Sequence, residues 1–332
     1  MQQNILSVTD LRTIYISRNS IVPAVDGVSF DLGKKEAIGI VGESGCGKST
    51  VARSIVGLLD KSYARITSGE IVFDGRNLVG ASADQLRRIR GNEIAMIFQD
   101  PFVSLNPVFT VEAQIREILA TKLNMSRRQA RERIKELLHL VGIPAPEMRM
   151  KSYPYQLSGG MQQRVMIAIA LACNPKILIA DEPTTALDVT VQAQILDLIG
   201  EIKDKFDMSL ILISHNLGIV AEMCDRIVVM YGGVVVEHGN VDDIFANPRH
   251  PYTQGLLASI PRIHDDLEEL HSIGGTVPTF TLPVQQCRFA DRCPRAFDAC
   301  SAAEPPLFTL NDGGAAQEAR CWLYTAEIKA KR

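Results

Sequence analysis

The chain has 332 residues, a formal charge of −3, 46% hydrophobic and 22% charged residues, and 16 prolines that are spread out rather than clustered. That composition can bury real cores and excludes a disordered tail, and its near-neutral charge argues against a broad nucleic-acid-binding surface. No run approaches the roughly eighteen apolar residues that a bilayer-spanning helix needs.

Length fits two domains, or one large domain with an appendage. The start, Met1-Gln2-Gln3-Asn4, lacks the basic-then-apolar pattern of a signal peptide, so a cytoplasmic location is expected. Seven cysteines in such a compartment are not expected to form a disulfide framework. In chain order, the short apolar runs Ile5 to Val8, Ile14 to Ile16, Val28 to Leu32 and Ala37 to Val41 read as strands, the last one fully buried. A helix is expected to start at Lys48 and end near Leu59. From about residue 84 to 156 the pattern turns charged and helix-periodic, in Gln85 to Arg90 and in Ser126 to Val141 with Ser126 as N-cap, and predicts a helical insertion.

Helix and strand patterns then alternate. Gly159 to Cys173 reads as a helix, Ile177 to Ala180 as a buried strand, Val191 to Phe206 as a helix and Leu210 to Ile213 as a buried strand. Arg226 to Met230 and Val234 to His238 read as a hairpin. Strands separated by helices imply a mostly parallel sheet covered on both faces, an α/β fold. Beyond about residue 247 the composition shifts to Pro, Gly and Cys. The expected organisation is one α/β domain over residues 1–246, with a helical insert at about 84–156, and a separate loop-rich, Cys-containing appendage over 247–332.

Gly42-Glu43-Ser44-Gly45-Cys46-Gly47-Lys48-Ser49-Thr50 matches G-x-x-x-x-G-K-[ST] between a buried strand and a helix, the context that a phosphate-binding loop needs. Its glycines turn successive N–H groups inward as a nest for phosphate oxygens. The helix N-terminus adds positive potential, Lys48 reaches the β- and γ-phosphates, and Ser49 offers a hydroxyl to Mg²⁺. Cys46 reads as a packing residue, at a position near that helix N-terminus that favours thiolate character. Ile177 to Ala180 ends in Asp181 and Glu182, at the strand edge where ligands of open α/β sheets bind. Asp181 would hold Mg²⁺ through water, and Glu182 would polarise the attacking water.

Leu157-Ser158-Gly159-Gly160-Met161-Gln162-Gln163-Arg164 opens a helix and makes a second anion nest. A helix to Cys173 would be roughly 22 Å long. If its far end leads into the Asp181 strand, the two nests cannot grip one nucleotide, and a composite site closed by dimerisation is inferred.

These motifs, with His215 in Leu212-Ile213-Ser214-His215, closely resemble those of ATP-binding cassette (ABC) ATPases over about residues 5–240. The resemblance implies a P-loop ABC ATPase fold with a helical subdomain. It also implies that Leu157, Ser158, Gly159, Gly160 and Gln162 touch the nucleotide of the facing subunit, and that Ala186-Leu187-Asp188 crosses the dimer interface. By the same resemblance Tyr15 stacks on adenine, Gln99 in Ile97-Phe98-Gln99-Asp100-Pro101 senses Mg²⁺, and His215 contacts the γ-phosphate. From sequence alone, Tyr15 reads as a half-buried strand aromatic and Gln99 as a strand-end polar residue. One cassette and no sustained heptads set the chain apart from soluble ABC ATPases of repair or translation.

Asn247 to Leu257, with His250-Pro251-Tyr252, is similar to the C-terminal region of ATP-binding subunits of dipeptide, oligopeptide and nickel importers. Alone, it reads as a rigid turn before a short helix. The resemblance implies a second ATPase subunit, related but different, two transmembrane permease subunits docked on the helical insert and on Gln99 to Pro107, and an extracytoplasmic solute-binding protein. The chain would sit at the cytoplasmic face of the inner membrane. Cys287, Cys293, Cys300 and Cys321 follow C-x5-C-x6-C-x20-C, without the close C-x2-C pairs of a zinc ribbon. Four widely spaced thiolates suit an iron–sulfur cluster, [4Fe–4S] in some related subunits, with zinc or free thiols as alternatives. Arg288, Arg292 and Arg295 would offset its charge. Cys173 and Cys224 read as small core residues, and His139, His238, His264 and His271 as surface residues.

Overall fold

The structure, a computed structural model, describes residues 4–17, 20–185, 187–260, 273–278, 280–281, 284–310 and 316–325. His264 and His271 lie outside them. Two sheets carry the fold. The first is antiparallel, in the order β2 (Ile21–Gly33), β1 (Asn4–Ile16), β4 (Ala64–Phe73) and β5 (Arg76–Asn77). The expected runs Ile5 to Val8 and Ile14 to Ile16 are thus one strand, whose register shifts between Val8 and Arg12 bend it without ending it.

The second sheet contains β3 (Ala37–Val41), β6 (Ile94–Ile97), β7 (Ile177–Asp181), β8 (Ser209–Ser214), β9 (Arg226–Tyr231), β10 (Val234–Asn240), β11 (Phe308–Leu310) and β12 (Gln317–Ala319), in the order β11-β12-β10-β9-β3-β8-β7-β6. Strands β9, β3, β8, β7 and β6 are parallel, and the rest pair antiparallel. Their side chains alternate between two cores. On β8, Ile211 and Ile213 face the antiparallel sheet together with Ile38, Ile40, Val51 and Ile55, while Leu210 and Leu212 face helices.

Helix α1 (Lys48–Ile55) lies between the sheets, and α2 (Ala83–Ile89) follows with a capping box at Ser82. On the other side come α3 (Pro101–Ser104), α4 (Val111–Leu123), α5 (Arg127–Leu140), α6 (Pro146–Arg149), α7 (Gly159–Ala170), α8 (Val189–Lys205) and α9 (Leu217–Met223). Ser126 caps α5 as expected, accepting from Gln129 N. Strand β6 falls inside the stretch expected to be helical: four residues, Ile94 to Ile97, are too few to show a period, yet they pair with β7.

The C-terminal residues differ most from expectation. After α10 (Val241–Ala246) and α11 (Pro251–Ala258), the chain carries α12 (Asp298–Ala302) and then adds β11 and β12 to the open edge of β10. Buried Tyr252 and Phe289 belong to the same core as the helices that pack on the parallel strands. The region is therefore not a separate appendage. It covers a sheet edge that would otherwise present unpaired backbone groups.

Candidate nucleotide site

The loop between β3 and α1 is shaped by its glycines. Gly42 has φ +149° and Gly47 φ +107°, and a Cβ on either would lie 2.2 Å from a backbone oxygen, of Met230 and Ala24 respectively. Gly45, at φ +80°, faces open space, so the loop leaves room on that side for an oxyanion. Helix α1 has no side-chain cap and no acidic residue in its first turn, which leaves its leading N–H groups free of side-chain acceptors. Lys48 is buried and donates from Nζ to the carbonyls of Gly42 (2.7 Å) and Glu43 (3.0 Å). Cys46 lies beneath the loop, fully buried, and burial pushes its thiol pKa up. The packing role expected of Cys46 agrees with that burial, while the thiolate character its position favours is corrected: desolvation outweighs the nearby Lys48 charge.

Strand β7 delivers the carboxylates. Ser49 Oγ donates to Asp181 Oδ1 at 2.9 Å. Burial pushes the Asp181 pKa up while the Ser49 bond pulls it down. A buried carboxylate beside a hydroxyl fits a hard divalent cation, whose charge would reverse that desolvation cost. Glu182 turns at φ +48°, in the left-handed region, and its N–H is held by Ile213 O at 3.0 Å. Its Oε2 accepts from Gln99 Nε2 (2.9 Å) and Thr185 Oγ1 (3.1 Å), and its Oε1 lies 3.5 Å from His215 Nδ1. The structure thus brings Gln99, Glu182 and His215 together. Thr185, in the run Asp181-Glu182-Pro183-Thr184-Thr185, was missed although its position beside the acidic pair could have flagged it. Tyr15 stacks on Tyr63, with ring centroids 5.9 Å apart, and its hydroxyl is 3.5 Å from Thr50 Oγ1.

The second nest sits at α7. Ser158 is exposed and caps the helix, accepting from Met161 N. Leu157 and Gln162 are buried, and Gln162 Nε2 donates to the carbonyls of Pro154 and Leu157. The expectation that Gln162 touches a facing nucleotide is corrected: it points inward and shapes the loop, and Leu157 packs in the core. Gly159 is partly exposed, while a Cβ on Gly160 would lie 2.8 Å from Val191 of α8. Gln163 Nε2 donates to Pro183 O at 2.6 Å, two residues beyond Asp181. The helix therefore runs back alongside β7, and its length does not separate the nests. Their separation is lateral: α7 packs over β6, three strands from β3, roughly 14 Å at about 4.8 Å per strand. Asp188 is exposed and caps α8; Ala186 is outside the described residues.

Residues 25–185 match the model of the ABC transporter family, and residues 236–300 match that of the oligopeptide/dipeptide transporter C-terminal region. The chain is 50% identical to the oligopeptide transport ATP-binding protein AppD of Bacillus subtilis, over 97% of its own length and 98% of that protein's. It is 49% identical to the dipeptide transport ATP-binding protein DppD of the same organism, over 97% and 95%. The chain belongs to the ABC transporter ATP-binding proteins of the oligopeptide and dipeptide family. Among solved structures it is similar to the dimeric post-hydrolysis state of the ATP-binding cassette MJ0796 bound to ADP and Pi, with 29% identity and a TM-score of 0.64, covering 71% of this chain and 98% of that one. As an ABC ATPase it uses ATP with Mg²⁺ and works as a pair of ATPase subunits. No helix among the described residues is long and apolar enough to cross a membrane.

The four cysteines, three of them within the matched C-terminal region, are free, Cys287 N donates to Cys300 O at 2.8 Å, and the thiols lie near enough that their neighbours help push up the pKa of Cys287, Cys293 and Cys321. Burial pushes Cys287 and Cys321 up to about 11. The donor chemistry fits a soft metal centre, yet among the described residues no three Cys, His, Asp or Glu side chains are arranged to hold a metal ion. Arg288 and Arg292 do not face the thiols. Arg288 pairs with Asp26 and Glu304, Arg292 with Glu43, and of the three arginines only Arg295 lowers a cysteine's pKa, that of Cys293. Cys173 and Cys224 are buried as expected. His139 is exposed, but His238 is mostly buried between Arg226 and Glu318, because it lies on paired strand β10.

Proposed function

We propose that this chain hydrolyses ATP to energise import of dipeptides or oligopeptides, in a complex with a second ATPase subunit, two permease subunits and an extracytoplasmic binding protein, at the cytoplasmic face of the membrane. What carries the reading is the convergence of Gln99, Thr185 and His215 on Glu182, beside the Ser49–Asp181 pair and the open side of the phosphate loop. The loop from Gly42 to Thr50 holds the triphosphate, with Lys48 drawn from its own carbonyls to the phosphates and Tyr15 beside the base. Ser49, Asp181 and Gln99 hold Mg²⁺, which supplies positive charge against the phosphate oxygens. Glu182 takes up the proton of the attacking water as general base, Gln99 and Thr185 fix its rotamer, and His215 lies over the γ-phosphate. Ser158, Gly159 and Gly160 close on the nucleotide of the facing subunit, with Asp188 at that interface. Exposed Phe102, Val103, Val108 and Phe109, which follow Gln99, support permease docking there.

Cys287, Cys293, Cys300 and Cys321 are proposed to hold a [4Fe–4S] cluster in preference to zinc, a reading supported by the all-thiol donor set together with the lack of the close C-x2-C pairs of a zinc ribbon. The four thiols would hold it as thiolates, which requires their deprotonation. Iron and acid-labile sulfide in anaerobically purified protein test the assignment, and zinc or neither would remove it. For transport, the reconstituted complex is the test. A Lys48→Ala chain is expected to abolish both ATP turnover and uptake of a labelled peptide, whereas uptake that persists without turnover would refute the reading.

A further inference from the structure

The phosphate loop is gripped from outside the nucleotide by a residue of the cysteine-bearing segment. Glu43, the second residue of the loop, meets Arg292 in a two-pronged ion pair, with Nη1–Oε2 at 2.7 Å and Nη2–Oε1 at 3.1 Å. Arg292 is itself held on other sides: Nε donates to Gly274 O (2.8 Å), Nη2 to Ile273 O (3.1 Å), and the guanidinium lies 5.7 Å from the Tyr231 ring centroid. Its side chain is 6% exposed, so the fork is fixed rather than a flexible surface contact. The backbone of the same loop residue is held as well, since Glu43 N donates to the hydroxyl of fully buried Tyr252 at 2.8 Å. Tyr252 packs edge-on against Tyr231 and Phe289, at centroid distances of 4.8 and 5.4 Å.

We infer that Arg292 and Tyr252 are positioning residues of the nucleotide site. Resting on the reading of Gly42 to Thr50 as the nucleotide loop, the inference gives them two tasks. Together they fix the loop's first turn, and Arg292 cancels the carboxylate charge of Glu43 where a polyanionic triphosphate must approach. Neither side chain touches the reacting atoms, so both act on nucleotide binding and leave the chemical step alone. Because Arg292 immediately precedes Cys293, the cysteine segment and the phosphate loop share this contact.

The test uses the full chain in its transporter complex, with a fluorescent ATP analogue for affinity and steady-state hydrolysis for kcat and KM. Arg292→Ala is expected to weaken binding roughly five- to tenfold and raise KM likewise, with kcat within about twofold. Adding Glu43→Gln to Arg292→Ala is expected to restore most of the affinity, because the uncompensated charge is gone, and raising the ionic strength is expected to narrow the gap between Arg292→Ala and wild type by screening that charge; a merely structural arginine would show no such salt dependence. Tyr252→Phe keeps the ring packing and is expected to raise KM by a smaller factor. Unchanged affinity in both Arg292→Ala and Tyr252→Phe, or a double variant weaker than Arg292→Ala, would overturn the inference. Should Arg292→Ala fail to fold, Arg292→Gln with and without Glu43→Gln decides by the same rescue. A wild-type complex that binds no nucleotide would instead overturn the underlying reading of the loop.

Discussion

Glu182 shows how much one residue carries. It holds a left-handed backbone angle at the end of a buried strand, and three side chains converge on its carboxylate. Glu182→Gln keeps the shape and removes the proposed base, so ATP affinity is expected to stay within a few-fold while hydrolysis falls by about two to four orders of magnitude. Single-turnover kinetics with labelled ATP checks both numbers. His250 makes a different prediction. Its buried Nδ1 accepts from Tyr252 N at 3.0 Å, and burial lowers its pKa to about 3, outweighing a hydrogen bond to the Arg320 backbone that favours the charged form. The unfolded chain therefore binds a proton that the folded chain does not, and stability is expected to fall as pH drops below about 6.5, by up to about 1.4 kcal/mol per unit. Denaturant titrations between pH 7 and 5 measure this, and His250→Asn should flatten the slope. Residues adjacent in sequence were readable at this scale: Lys48, Ser49, Asp181 and Glu182 sit in motifs whose chemistry is contiguous. The Arg292–Glu43 pair spans 249 positions, and nothing local to either residue announces it.

Among elements, long periodic helices and buried parallel strands were legible because burial forces a repeating pattern: α5, α8, β3, β7 and β8 fall within a few residues of expectation. The strands β4 and β6 were not. Half of β4 faces solvent, including exposed Arg65, Thr67, Ser68 and Glu70, and β6 is too short to show a period. The turn chemistry at His250-Pro251 was legible, since proline at the first position and a side-chain acceptor before it define the start of α11. Packing between elements left no such trace. A Cβ on Gly39 of β3 would lie 2.2 Å from Val220 of α9, so the close strand–helix approach depends on that glycine. Gly39→Ala is expected to destabilise the protein by about 1–3 kcal/mol, read as a lowered urea midpoint with an unchanged slope.

At the scale of the molecule, two sheets with α1 between them place both the phosphate loop and the carboxylates at one edge of the parallel strands, while α7 brings the serine–glycine nest beside that edge. The sequence suggested two domains because composition changes near residue 247. The fold joins them, since β12 completes the β10 edge and Arg288 and Arg292 tie the cysteine segment to Asp26 and Glu43. In the function proposed above, the open side of the phosphate loop at Gly45 is met by the serine–glycine nest of a facing ATPase subunit. The most direct test is ATP turnover per molecule, measured against protein concentration with the oligomeric state followed by sedimentation. Turnover is expected to rise steeply with concentration, or on adding the partner ATPase, in step with dimer formation. Full turnover at dilutions where the chain sediments as a monomer would contradict a shared site.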